Sequence, residues 1–145
     1  MKISLIRVSA LLLIVAMIAC SKKAETTETT TAAASDEWPE MDSFHMVMAE
    51  AFHPYKDSTN LEPAKKLAAE MATSAEQWQA APLPEKVNND DVKAKLVTLK
   101  NDTRAFADGI SGMTDEQIGK SLTALHDSFH GLMEAWHGGG DKHEH

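Results

Sequence analysis

The chain has 145 residues, with 22 acidic against 14 basic side chains for a net charge of −8, seven histidines and a single cysteine. An acidic balance of this kind argues against nucleic acid or anionic lipid as a partner for the surface. One cysteine excludes an internal disulfide and a Cys-rich zinc site.

Residues 1–19 have the form of a processing signal. Lys2 and Arg7 are its only charges, and Val8 to Ala19 is an apolar run too short for a comfortable membrane span. The run ends in Met17-Ile18-Ala19-Cys20. This resembles the lipobox of bacterial lipoproteins, with Met17 in the place usually held by Leu. The resemblance implies cleavage before Cys20, acylation of its sulfur and new amine by palmitate-like chains, and anchoring in the cell envelope. Ser21 after the cysteine implies the outer membrane, facing the periplasm. Several acyl chains anchor far more firmly than one. Loss of residues 1–19 leaves 12 basic against 22 acidic residues, a net charge of −10, and with Cys20 acylated no thiol remains.

Residues 20–36 are rich in Thr, Ala and Glu and lack large apolar side chains, so they cannot form a core and read as a flexible tether. The sixteen residues from Ser21 to Asp36 span roughly 50 Å when extended. Residues 37–137 form the domain, long enough for one core and not for two. Residues 138–145, Gly138-Gly139-Gly140-Asp141-Lys142-His143-Glu144-His145, read as a frayed, metal-philic tail.

Four helical segments follow in order. The first starts near Pro39, a good first-turn residue. It fades around Pro54, with Phe44, Met48, Ala51, Phe52 and Tyr55 as its stripe. The second starts near Asn60-Leu61 and ends before Pro82, with Ala64, Leu67, Met71, Ala75 and Trp78 on one face. The third follows Asn88-Asn89 and ends at Gly109, with Val92, Leu96, Leu99, Thr103, Phe106 and Ile110 in phase. The fourth opens on Thr114-Asp115-Glu116-Gln117, a capping-box pattern. It carries Ile118, Leu122, Leu125, Phe129, Leu132, Met133 and Trp136 to Gly138. No strand pattern competes. Short connections predict an all-α, antiparallel up-down-up-down four-helix bundle.

The histidines lie near the two ends of this domain, His45 and His53 in the first helix and His126, His130, His137, His143 and His145 in or after the last. First and last helices are neighbours in such a bundle. His126 and His130 are four residues apart and project from one side of a helix, a spacing that suits two imidazoles on one ion. His45 flanks the first helix on the matching side, level with about Gly131 and so one residue from the level of His130. Met48 lies one turn on, and Glu134 one turn beyond His130. His45, Met48, His126, His130 and Glu134 are thus the candidate ligands for copper or zinc. Met46, Glu50 and His53 share an outward face of the first helix and form a secondary candidate.

Leu122-Thr123-Ala124-Leu125-His126 resembles the haem-attachment end of cytochrome c-prime, with Leu122 and Leu125 where that family has its two cysteines and His126 where it has the axial histidine. Phe129-His130 is similar to the aromatic-His pair of the soluble b-type four-helix cytochromes. The resemblance implies a non-covalent haem b held by His126 or His130 with Met41 or Met48. Covalent attachment is excluded without the cysteines.

There is no thiol nucleophile, phosphate loop or Gly-x-Ser-x-Gly, so no enzymatic activity is expected. Three readings compete. The first is a membrane-anchored periplasmic metal-binding lipoprotein. The second is a haem-binding electron-transfer protein. The third is a ligand-free interaction module whose Trp38, Met46 and His53 face a partner, as a homodimer or with another periplasmic protein.

Overall fold

The computed structural model describes residues 37–138. They fold into four helices, α1 (Pro39–Ser58), α2 (Glu62–Ala80), α3 (Asp90–Gly109) and α4 (Asp115–Gly138). Single 3-10 turns at Glu85–Val87 and Ile110–Gly112 lead into α3 and α4. No strand occurs among the described residues, and none of these helices is long and apolar enough to cross a membrane. The lipobox, the tether and the His143–His145 tail lie outside the described residues.

The ends of the helices follow local chemistry. Asn89 caps α3 by accepting a hydrogen bond from the Val92 amide at 2.9 Å, which satisfies one of the donors a helix start leaves open. The capping box of α4 forms in full. The Gln117 amide donates to Thr114 Oγ1 at 3.3 Å, and the Thr114 amide donates to Gln117 Oε1 at 2.8 Å.

The first helix departs from expectation. It passes through Pro54 and ends four residues later. A proline removes one i→i−4 hydrogen bond and strains the turn before it. Here the continuation lets Phe52 and Tyr55 pack against the core. The helix then closes at Thr59, in left-handed backbone with φ 57°. The Thr59 amide donates to the Tyr55 carbonyl at 2.8 Å and the Asn60 amide to the Pro54 carbonyl at 3.1 Å, so the terminal carbonyls are satisfied.

Consecutive helices touch, and α1 also touches α4. The residues at each seam set its width. The buried face of α2 is largely Ala64, Ala68, Ala72 and Ala75, and small side chains let α1 and α3 approach it closely. The α1–α4 seam is filled with rings instead. Phe44, Phe52 and Phe129 are all buried there, and the Phe44 and Phe129 ring centroids are 5.5 Å apart. Gly119 is the exception on α4. It is buried, and the Tyr55 ring of α1 occupies the space where a side chain would stand.

The start of α1 and the ends of α2 and α4 meet in a second aromatic cluster. Trp38 lies edge-on to Trp78 at 5.0 Å and tilted against Trp136 at 5.5 Å. The Lys86 ammonium sits 3.1 Å from the centre of the Trp136 ring, a cation–π contact. Among the described residues Thr103 is the single buried polar side chain in the core, and its hydroxyl donates to the Leu99 carbonyl at 2.8 Å.

Candidate functional site

His126 and His130 stand one turn apart on α4, on the flank that meets α1. Their Nε2 atoms are 3.2 Å apart. That is hydrogen-bond distance between the two rings, with the donor set by the tautomer. His126 lies flat on Phe52 of α1, with ring centroids 3.8 Å apart and planes 14° from parallel. Its side chain keeps 24% of its exposure, whereas His130 is exposed. Phe52 therefore fixes the inner ring of the pair, and His130 lies open to solvent.

Burial lowers the pKa of His126 below the ordinary imidazole value, and charge on His130 and His53 lowers it further. Asp127, whose Oδ1 is 3.7 Å from His126 Nδ1, acts in the opposite direction without overcoming burial. The ring is biased towards its neutral form, which is the form that binds a metal.

The remaining sequence-predicted residues are placed differently. His45 stacks on Phe129 at 5.2 Å and 28° and is itself exposed. Phe129 in turn meets His130 edge-on at 6.0 Å. Met48 is fully buried in the core and Met41 nearly so, so both thioethers are committed to packing. Glu134 is exposed. Met46, Glu50 and His53 are exposed on α1, and of these only His53 is near enough to influence His126 electrostatically. Among the described residues, no group of three or more His, Cys, Asp or Glu side chains is placed to hold a metal ion. The structure thus brings together the His126–His130 pair, joins neither His45 nor Glu134 to it as a group of three, and buries Met48 in the core.

Leu122 and Leu125, at the positions of the two cysteines in cytochrome c-prime, are core residues. A haem plane between α1 and α4 would have to displace Phe44, Phe52 and Phe129, which fill that seam.

The pair has the bite of a chelate. Zinc–imidazole bonds of about 2.0–2.1 Å at a tetrahedral angle hold two nitrogens about 3.3–3.4 Å apart. The observed 3.2 Å is close to that separation. Sequence reasoning found the pair from its spacing. It missed the aromatic platforms Phe52 and Phe129. The signal was present, since both belong to stripes bordering the histidine flanks. Their contact with the imidazoles depends on how α1 and α4 face each other.

No family model matches the chain, and no curated protein or solved structure shows significant similarity to it.

Proposed function

We propose that this chain is a transition-metal-binding lipoprotein of the bacterial cell envelope, tethered through Cys20, whose metal unit is the His126–His130 pair. In this reading the helices run up-down-up-down, antiparallel. The sequential helix contacts and the α1–α4 contact support that arrangement, as does the meeting of Trp38, Trp78 and Trp136. The observation that carries the function is the 3.2 Å separation of the two Nε2 atoms, one of them on a ring held in place by Phe52. The ligands are borderline nitrogen donors, which suit zinc or copper(II). The role is sequestration or transfer of the ion, and the acidic surface favours the approach of cations.

The test is thermal unfolding of the full chain in detergent, with and without zinc or copper. Metal at about 100 times its Kd adds about 2.7 kcal/mol, a rise in Tm of about 10–20 °C for a domain of this size. The His126→Asn/His130→Asn double variant should show no rise. An equal rise in wild type and double variant refutes the proposal.

A further inference from the structure

The His126–His130 pair supplies one edge of a coordination sphere. Its two Nε2 atoms stand 3.2 Å apart, and a tetrahedral zinc ion takes four ligands. Among the described residues no group of three or more His, Cys, Asp or Glu side chains is placed on one ion. We propose that the pair is half of a four-histidine site, and that a second copy of this chain supplies the other half through its own His126 and His130. The inference rests on the metal-binding reading and names the partner of that same site.

The symmetry of a tetrahedron favours an identical partner. The pair spans one edge, and a two-fold axis through the ion relates that edge to the opposite one. A copy rotated by 180° about this axis places its own pair on the opposite edge. Such an interface is isologous, with the same patch on both sides, as in most homodimers. One ion then holds four imidazoles and joins two chains.

The surroundings of the pair direct the partner to its outer side. Inward, the seam between α1 and α4 is closed by Phe44, Phe52 and Phe129, all buried, and the Phe52 ring covers one face of His126 at 3.8 Å. Further ligands therefore come from the solvent side, where His130 is exposed and His126 keeps 24% of its side-chain exposure. The Phe52 stack holds the inner ring in place, so less freedom is lost when ion and partner bind. Charge makes the meeting depend on the ion. The chain carries −8. Asp127 adjoins His126 and Glu134 lies one turn beyond His130, both exposed. Two such faces repel each other. A divalent cation between them offsets that repulsion and adds two bonds to each chain, so the copies assemble with metal and part without it.

The experiment is zinc titration of the full chain in excess detergent micelles. Sedimentation equilibrium reads the protein mass, and X-ray absorption at the zinc edge reads the ligand shell. Wild type is compared with His126→Asn/His130→Asn and with His130→Asn, a substitution at an exposed position that leaves the Phe52–His126 stack intact. Expected for wild type are saturation at one zinc per two chains, a doubling of protein mass that a chelator reverses, and the outer-shell scattering of four imidazoles. Both variants should keep the monomer mass at the zinc and chain concentrations that make wild type dimeric. A wild-type monomer with one zinc per chain, and binding lost in the double variant, overturns the second copy's role and leaves the pair standing. A zinc-dependent dimer that persists in the double variant overturns the shared site, because the ion then bridges elsewhere. No zinc binding by wild type, or equal binding by the double variant, overturns the metal reading itself.

Discussion

Replacing Gly119 by alanine puts a methyl group where Tyr55 already lies. The added Cβ would stand 2.5 Å from the tyrosine Oη, 2.7 Å from Cζ and 2.9 Å from Cε2. The tyrosine ring is rigid, so it must swing out of its half-buried seat or α1 must move. Two effects oppose each other. Alanine in a helix interior is favoured over glycine by about 0.8–1.0 kcal/mol, and overpacking a close contact costs about 1–3 kcal/mol. The net is a loss of about 0–2 kcal/mol. Gly131 on the same helix is the control, because a Cβ there meets nothing within 4 Å. Gly131→Ala should keep the whole propensity gain and stabilise by about 1 kcal/mol. The two variants should therefore differ by about 1–3 kcal/mol, and each kcal/mol moves Tm by about 4–8 °C. Thermal unfolding followed by far-UV circular dichroism measures this. In a Tyr55→Ala background the cost of Gly119→Ala should disappear, a coupling expected only between residues in contact. Gly119→Ala as stabilising as Gly131→Ala would refute the reasoning, since Tyr55 would then yield at no cost.

Asn89→Ala should cost about 1 kcal/mol, read from urea unfolding, because it removes the acceptor of the Val92 amide at the start of α3. Phe52→Ala should cost about 3–5 kcal/mol. It should also raise the His126 pKa, followed by NMR, because burial is the main cause of its depression. Without metal, the domain should lose stability as pH falls below the ordinary imidazole value of 6.5. Between the lowered folded pKa and that value the unfolded chain binds more protons than the folded one, so stability rises with pH. Protonation of His126 in the fold meets the neighbouring His130 and His53, with Asp127 the only opposing charge. Stability flat from pH 7 to 5 in wild type, or an equal slope in His126→Asn, would refute that assignment.

The helical plan was largely legible because it is local. The stripes of α1 to α4, the start of α3 after Asn89 and the Thr114–Gln117 box all follow from spacing and hydrogen-bonding chemistry. Pro54 misled for the opposite reason. Its local penalty is real, but burial of Phe52 and Tyr55 is a tertiary gain that spacing alone does not weigh. The site shows the same division. The His126–His130 pair lies within one helix, so its geometry follows from helical periodicity. The approach of His45 depends on what stands between two helices. Two phenylalanines, Phe52 and Phe129, take that position and hold the imidazoles of opposite helices on separate rings. Met48 belongs to the centre of its stripe rather than the flank, and its thioether is spent on the core.

The placement of the aromatic residues has a spectroscopic consequence. All three tryptophans of the chain lie in one cluster, and its single tyrosine, Tyr55, lies 17 residues along from Trp38, about 25 Å of helix away. Indole emission therefore reports on the start of α1 and the ends of α2 and α4, and is blind to the corner where Tyr55 meets Gly119. Tyrosine emission reports on that corner alone. The two colours watch opposite extremities of the domain without any label. Fraying at one extremity before the other would appear as separated melting curves, and a single cooperative transition would appear as superimposed ones.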